Sequence, residues 1–379
     1  MKIVVAPNAF KGSLAASEVA AAMAEGLLAV LPDAQVRKIP VADGGNGLLD
    51  VFRNHLKAEV HRQTVTGPRG KPVKAALCYL PSSRTAFVEM ALASGLALLS
   101  PAEYNPGQTT TRGTGELIRA ALDLGAVHIL VGLGGSATND GGTGMATVLG
   151  ARFLDRHGQA ITPTGDNLET ITTMDLSAMD PRLKNVHIEA ACDVDNPLTG
   201  PRGAARVYGP QKGATPEQVN SLDAGLVHLA TLLNSFTTGD ISQLPGAGAA
   251  GGLGAGLHAF TGAALRPGTD VVLEVVGLEK ALQEADLVLT GEGQIDEQTA
   301  FGKAPAGVAR LARRHGIPCL AVAGSRGQDL TSLHALGINA VFSLCPGPIS
   351  LEEAMTNSTA MIRRATEQVL RCFLAGQKV

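Results

Sequence analysis

Lysine and aspartate side chains recur in glycine-rich loops of this sequence, a combination that suits chemistry on anions. Three such loops occupy residues 8–13, 43–47 and 291–296, and a Gly-Lys pair follows at 302–303. Lysines and helix N-termini bind anionic groups, whereas aspartates bind Mg²⁺ or accept a proton. We therefore expect Lys11, Asp43 and Asp296 to act together as catalytic residues. The alternative is that Asp43 and Ser13 only cap helices and that Lys11 is solvated.

The most specific stretch is the loop Gly-Leu-Gly-Gly-Ser-Ala-Thr-Asn-Asp-Gly-Gly at residues 132–142, directly after an apolar segment at 127–131. Consecutive small residues let backbone N–H groups point inward and hold phosphate oxygens. The candidate phosphate-binding residues are Gly134, Gly135, Ser136, Ala137, Thr138, Asn139, Gly141 and Gly142. Asp140 could orient a bound metal. The alternative is a structural loop that another backbone segment crosses closely.

Two further segments carry charges suited to anionic chemistry. Asp193 emerges from the apolar stretch at 190–192, and Lys212 lies between glycines in residues 209–213. An aspartate in such a position can bind a metal or take a proton, and a lysine can bind phosphate. Asp193 and Asp195 could equally form turn hydrogen bonds before Pro197.

Several familiar motifs are absent or lack their context. Residues 246–251 match the dinucleotide pattern Gly-x-Gly-x-x-Gly by letters, but no convincing strand precedes them. The chain has no Gly-x₄-Gly-Lys-Ser/Thr phosphate loop and no Gly-x-Ser-x-Gly nucleophile motif. His128, His157 and His187 lack metal-ligand spacing, so we interpret them as ordinary surface or core residues.

Alternating apolar strands and amphipathic helices must position these loops. Strand patterns at 3–6, 36–42, 287–289, 319–323 and 340–344 are each followed by a helical pattern, which predicts a parallel sheet covered on both faces. Residues 64–89 instead show short mixed patterns typical of antiparallel hairpins. Capping boxes at Thr215 and Ser350 predict two helix starts, the second opening one long C-terminal helix.

The predicted fold is α/β, with a discontinuous Rossmann-like or flavodoxin-like parallel-sheet domain and a second mixed α/β domain inserted into it. The first domain comprises residues 1–62 plus 286–379, and the inserted domain comprises residues 63–285. Ligands of open parallel sheets bind beyond the carboxyl ends of the strands, where the polar loops lie.

Composition limits the classes of partner. The 379 residues are 45% hydrophobic and carry 31 Lys and Arg against 34 Asp and Glu, with no Trp, so we expect no nucleic-acid partner. The five cysteines form no Cys-x-x-Cys pair, which argues against disulfides and thiolate metal sites. Without an export signal or a membrane span in the sequence, we expect a cytoplasmic protein with no membrane partner.

Taken together, the loops resemble one family, the type-1 glycerate kinases of bacteria. The matching stretches run in family order at residues 6–14 (Ala-Pro-Asn-Ala-Phe-Lys-Gly-Ser-Leu), 42–45, 112–118, 134–142, 191–194, 209–214, 246–254, 290–296 and 302–303. The resemblance implies ATP-dependent phosphorylation of D-glycerate to 2-phosphoglycerate with Mg²⁺. It also implies an active site in the cleft between two α/β domains, and it leaves a homodimer open.

On this basis we expect the 132–142 loop to cradle ATP phosphates, with Lys11, Lys212 and Lys303 supplying positive charge. Asp193 and Asp296 would hold Mg²⁺ or accept the hydroxyl proton, and Asp43 would orient glycerate.

Two positions depart from the family pattern, since Asn8 and Asn46 stand where carboxylates are usual. A related hydroxy acid as substrate, or phosphorylation at the 3-hydroxyl, therefore stays open. The alternatives of another class are a nicotinamide-dependent oxidoreductase of hydroxy acids and a non-catalytic ligand sensor.

Overall fold

The computed structural model describes residues 1–44, 48–300 and 302–377. The chain divides into two compact units. The first unit comprises Met1–Asp43, Asp50–Leu56 and Thr269–Val379, and the second comprises Gly44–Leu49 and Lys57–Gly268. The predicted boundaries at 62/63 and 285/286 differ from these junctions. The boundary at 62/63 differs because the strand Glu59–Thr66 pairs along its whole length within the second unit. The boundary at 285/286 differs because the helices after Gly268 belong to the first unit.

The strands, in chain order, are β1 (Lys2–Val5), β2 (Gln35–Lys38), β3 (Glu59–Thr66), β4 (Pro72–Leu80), β5 (Thr85–Glu89), β6 (His128–Gly132), β7 (Arg152–Leu154), β8 (Ala160–Ile161), β9 (Thr173–Asp175), β10 (His187–Ala191), β11 (Ala264–Arg266), β12 (Leu287–Ile295), β13 (Cys319–Arg326) and β14 (Ile338–Ser343). The α-helices are α1 (Ala16–Val30), α2 (Leu48–Leu56), α3 (Ala91–Ser94), α4 (Arg112–Asp123), α5 (Thr143–Val148), α6 (Ala204–Tyr208), α7 (Pro216–Leu233), α8 (Ala249–Thr261), α9 (Gly268–Val275), α10 (Leu278–Leu282), α11 (Ala304–Arg314), α12 (Thr331–Leu336), α13 (Leu351–Thr356) and α14 (Ser358–Gly376).

The first unit is built on a five-stranded sheet in the order β14-β13-β12-β1-β2, with every neighbouring pair parallel. Numbered by their order along this unit, the strands read 5-4-3-1-2, which is the flavodoxin-like order read from the other edge. The predicted parallel-sheet domain is therefore present. Strand order reverses between β1 and β12, and this is the position where such sheets bind ligands.

Apolar side chains of β1, β12 and β13 pack against α1 and α14 on one face of this sheet, in a core that includes Val5, Met23 and Ile362. The prediction of a single C-terminal helix from Ser350 is wrong. The helix breaks at Asn357, whose side-chain Nδ2 donates a hydrogen bond to the Glu353 carbonyl (3.1 Å) and so ends α13 before α14 begins.

The second unit contains a six-stranded sheet in the order β11-β10-β6-β5-β4-β3. The pairs β3/β4 and β4/β5 are antiparallel, which confirms the predicted hairpins at 64–89, whereas β5, β6, β10 and β11 are parallel. A smaller antiparallel sheet has the order β8-β7-β9. The predicted capping box at Thr215 is also present, since its side chain accepts a hydrogen bond from the backbone N–H of Gln218. The second unit is thus the expected mixed α/β domain.

Within the described residues, no helix combines the length and the apolar character that crossing a bilayer requires.

Candidate active site

A cavity of about 970 Å³ opens at the carboxyl ends of the first unit's strands. We call it the first-unit cavity. Its walls come from the loop after β1, the ends of β12 and β13, and the segment from Leu344 to α14. Its charged lining residues are Lys11, Glu292, Asp296 and Lys303. The cavity therefore lies at the point where strand order reverses, and three of the predicted site residues line it.

The loop after β1 is held by side-chain and backbone hydrogen bonds. Ser13 Oγ donates to the Met355 carbonyl (3.0 Å) and to Ser358 Oγ (2.7 Å). Ser13 therefore ties the loop to the junction of α13 and α14, where it satisfies a carbonyl at the end of α13, and its side chain does not cap α1. Lys11 is exposed, and we find no ion pair or hydrogen bond for its side chain among the described residues.

Asp43 lies just after the first unit's second strand, where its carboxylate accepts a hydrogen bond from the backbone N–H of Ala304 (2.9 Å). This bond satisfies one of the free N–H groups at the start of α11, so the helix-capping interpretation of Asp43 is correct for that helix. The charge of Asp43 also acts on Glu292, which lines the first-unit cavity. The rest of the predicted 43–47 loop, including Asn46, lies outside the described residues except for Gly44.

Asp296 follows β12 and shapes the turn after it. Its Oδ1 accepts from the backbone N–H of Gln298 (3.0 Å), and its Oδ2 accepts from the side chain of Gln294 (2.9 Å). Each oxygen keeps a lone pair for another partner, because an ionised carboxylate offers about four acceptor sites.

Glu292 is the buried carboxyl of the first-unit cavity, with 7% of its surface exposed. Its Oε1 accepts a hydrogen bond from Thr299 Oγ1 (2.8 Å). Burial raises the pKa of Glu292 to about 7, an effect that the charge of Asp43 reinforces and that Thr299, Lys303 and Lys11 oppose. A carboxyl with this pKa exchanges a proton near neutral pH, as a general base must.

In the second unit, the 132–142 loop follows β6 and divides into two halves. Gly134 and Gly135 lie at the surface. Among the described residues we find no acceptor for the backbone N–H groups of Gly134, Gly135 and Ser136. Such free N–H groups are what an anion-binding loop requires.

The other half of the loop is buried under a second backbone segment. Gly141 N–H donates to the Gly251 carbonyl (3.1 Å), and a Cβ added at Gly251 would lie 1.8 Å from the Thr138 carbonyl oxygen. Gly251 has φ +70° within the irregular start of α8. Gly251 thus allows close packing against the loop, whereas Gly246 and Gly248 approach Cys192 and Pro197. The segment directly before residue 246, which the structure describes in full, contains no strand, so the dinucleotide pattern lacks its context.

Lys212 lies beneath the loop with 2% of its surface exposed. Its Nζ donates to Ser136 Oγ (2.8 Å) and to the Thr138 carbonyl (2.7 Å). Burial lowers the pKa of Lys212 to about 7, and the charge of Asp140 acts against this. Both polar atoms of the Asn139 side chain are buried without a partner in the described part of the chain, which marks a place for a water or a ligand group.

Asp140 is fully buried and hydrogen-bonded within the protein. Its carboxylate accepts from the N–H and Oγ1 of Thr111 (2.8 Å each) and from the N–H groups of Gly142 and Gly144 (3.2 Å each). Burial raises its pKa, and these hydrogen bonds act in the opposite direction. Asp140 therefore fixes the loop and the start of α5.

Asp193 follows β10 at the carboxyl end of the second unit's sheet, and its Oδ2 accepts from the backbone N–H of Gly44 (2.9 Å). Asp195 forms an exposed ion pair with Arg202 (2.6 Å).

Comparisons with known proteins identify the family. The family model described as the glycerate kinase family matches residues 3–374. The chain belongs to the glycerate kinase family. A glycerate kinase of Bacillus subtilis (strain 168) is 47% identical over 97% of each chain. A glycerate 2-kinase of Escherichia coli (strain K12) is 44% identical over 100% of this chain and 99% of its own. The fold matches a solved Salmonella typhimurium LT2 structure, described as a glycerate kinase 2, with a TM-score of 0.91 at 47% identity over 100% of both chains.

Asn8, one of the two departures from the family pattern, has a structural role. It is buried, its Oδ1 accepts from the Ala9 N–H (2.8 Å), and its own N–H donates to the Gly291 carbonyl (2.8 Å). The amide thus supports the backbone that carries Lys11 where strand order reverses.

Sequence reasoning missed Glu292 as a site residue, although it lies within the 291–296 loop that the sequence singled out. The available signal was an acid between two glycines at the end of an apolar strand. The burial that changes its pKa depends on the fold and is not visible in the sequence.

Proposed function

We propose that this family member transfers the γ-phosphoryl group of ATP to the 2-hydroxyl of D-glycerate, giving 2-phosphoglycerate and ADP. Membership of the family and the name of the Escherichia coli relative support the reaction. The observation that carries the proposal is the buried Glu292, with a pKa of about 7, in a cavity where strand order reverses.

Glu292 acts as the general base in this proposal. Its carboxylate takes the proton of the glycerate hydroxyl as that oxygen forms a bond to the γ-phosphorus and the bond to ADP breaks. Lys11 and Lys303, whose charges act on Glu292, supply positive charge close to the transferring phosphoryl group. Asp43 orients glycerate while capping α11.

The second unit binds phosphate oxygens in this proposal. The backbone N–H groups of Gly134, Gly135 and Ser136 are the donors, and Lys212 supports them from below through Ser136 and Thr138. Ala137 follows these donors, and Asn139 offers its buried side-chain amide from the other half of the loop. Gly141 and Gly142 contribute through packing, because both are buried.

Asp296 and Asp193 fit Mg²⁺, which prefers hard oxygen ligands. Asp296 keeps lone pairs beyond its two hydrogen bonds, and Asp193 is an exposed carboxylate just after β10. Because the two residues lie in different units, each is proposed as a ligand separately. When bound, Mg²⁺ neutralises negative charge on phosphate oxygens.

The test is phosphorus NMR of the products after incubation of the full chain with MgATP and D-glycerate, with L-glycerate in a parallel sample. We expect 2-phosphoglycerate and ADP from the D-enantiomer. Formation of 3-phosphoglycerate would contradict the regiochemistry. Turnover with another hydroxy acid but not with glycerate would contradict the substrate. Thermal stabilisation by MgATP and glycerate without ADP release would indicate a sensor, and stabilisation by NADH in place of MgATP would indicate an oxidoreductase.

A further inference from the structure

Two histidines and a glutamate meet on one face of the second unit's sheet, away from the phosphate-binding loop. His128 begins β6 and His187 begins β10, and the two are paired in register. Glu189 lies two residues after His187 on the same strand. Residues i and i+2 of a strand point to the same face, and neighbouring strands lie about 4.8 Å apart, so the topology brings the three side chains together.

The three donor atoms lie within 4.8 Å of one another. His128 Nε2 lies 2.7 Å from Glu189 Oε2, and His187 Nε2 lies 3.9 Å from Glu189 Oε1. Two donors on one tetrahedral zinc ion lie about 3.3 Å apart, given metal–donor distances of about 2.0–2.1 Å. The two observed separations bracket that value, so small side-chain rotations suffice to place an ion between the donors.

The surroundings favour a metal-ligating state of these side chains. The Glu189 carboxylate is buried, and both Arg266 and His128 lie within hydrogen-bond distance of it. Arg266 Nη1 lies 2.5 Å from Glu189 Oε1. Arg266 orients the carboxylate, as residues that hydrogen-bond to metal ligands commonly do. Its positive charge acts against the binding of a cation. The His187 side chain is 64% exposed, which leaves an entry path from solvent.

We propose that His128, His187 and Glu189 bind one zinc ion, with water at the remaining coordination position. Two imidazoles and one carboxylate suit Zn²⁺ and other late first-row metals, whereas Mg²⁺ prefers ligand sets of oxygen. The site lies at the amino ends of β6 and β10. It is about 13 Å along β6 from the loop proposed to hold phosphates. Zinc there links two neighbouring strands and takes no part in phosphoryl transfer.

The test measures zinc binding to the untagged full chain after treatment with a chelator, in excess Mg²⁺. Calorimetry gives the affinity, and elemental analysis gives the amount of zinc bound. His187→Gln changes a largely exposed ligand and leaves the fold intact. His157→Gln is the matched control, because His157 is an exposed histidine of the same unit. We expect one equivalent of zinc in the unmodified chain and in His157→Gln. In His187→Gln we expect an affinity at least about 100-fold lower, because losing a ligand costs more than the roughly 10–100-fold that losing an outer partner costs.

Co²⁺ in place of zinc provides a second readout. We expect the visible absorption of a four-coordinate or five-coordinate ion without the near-ultraviolet band that thiolate ligands give. Kinase activity measured without zinc should be the same in all three proteins. Equal zinc affinity in His187→Gln and the unmodified chain, or a thiolate band with Co²⁺, would overturn the proposal while leaving the proposed kinase function untouched. Loss of kinase activity in His187→Gln would contradict the separation of the two sites.

Discussion

Replacing Glu292 by glutamine should slow catalysis strongly and stabilise the protein at the same time. Glutamine keeps the shape of the side chain and its carbonyl can still accept the hydrogen bond from Thr299. It cannot take a proton. Loss of a general base typically lowers the rate by about 10²–10⁴-fold, so we expect kcat to fall in that range.

The magnitude of the stabilisation follows from the pKa of Glu292. The unfolded chain releases this proton near pH 4.5 and the folded chain near pH 7. Between these values the folded state binds more protons, so stability falls as pH rises through this window. At about 1.36 kcal/mol per pH unit, the full difference above pH 7 is roughly 3 kcal/mol. Glu292→Gln removes this penalty, so its Tm should exceed that of the unmodified chain at pH 8 and differ little at pH 5.

The assay is ADP release with D-glycerate from about pH 5.5 to about pH 9, together with thermal unfolding at pH 5 and pH 8. The unmodified enzyme should show kcat/KM rising with an apparent pKa near 7, and Glu292→Gln should lack that rise. Glu297→Gln is the matched control, since Glu297 is exposed in the same segment and lies outside the cavity lining. A kcat for Glu292→Gln within about threefold of normal, with the same pH dependence, would refute the assignment of the base.

Three further predictions concern the second unit. Gly251→Ala should destabilise it by at least about 2 kcal/mol more than Gly262→Ala in urea unfolding, because both have positive φ but only Gly251 has a backbone oxygen in the way. Asp140→Asn should lower the free energy of unfolding in urea by about 2–4 kcal/mol, because the amide cannot accept all four hydrogen bonds. An unchanged midpoint of unfolding would refute the structural role of Asp140. Lys212→Met should raise the KM for ATP about tenfold or more in steady-state kinetics, whereas Lys184→Met, at an exposed lysine, should not.

Much of the fold was predictable because its signals are local. Continuous apolar strands alternating with helical periodicity indicate a parallel sheet, and the capping box at Thr215 marks a helix start that the structure contains. The break at Asn357 was not predictable in this way. It depends on a side chain that bonds to the preceding turn within an otherwise uninterrupted helical pattern.

The sequence was sufficient to predict that the loops after the first unit's strands lie close together, because the carboxyl ends of parallel strands share one edge of the sheet. The structure places Lys11, Asp296 and Lys303 around one cavity accordingly. The pairing of His128 with His187 was not predictable, because residues far apart in sequence become neighbours only when the strand order is known. For the same reason, spacing along the chain gave no indication of a metal site there.

The proton affinity of Glu292 results from opposing effects that lie in separate segments of the chain. Burial and the charge of Asp43 raise its pKa, and Thr299, Lys303 and Lys11 lower it. Without the lysines, the pKa of the carboxyl would be higher still, and a smaller fraction of it would be ionised and able to accept a proton at neutral pH. Without burial, it would ionise near its ordinary value and be a weak base. Because catalysis by a base is most effective when its pKa lies near the working pH, the lysines in the proposed mechanism serve Glu292 as well as the phosphoryl group. Removing Lys303 should therefore raise the apparent pKa of the activity profile as well as lower the rate.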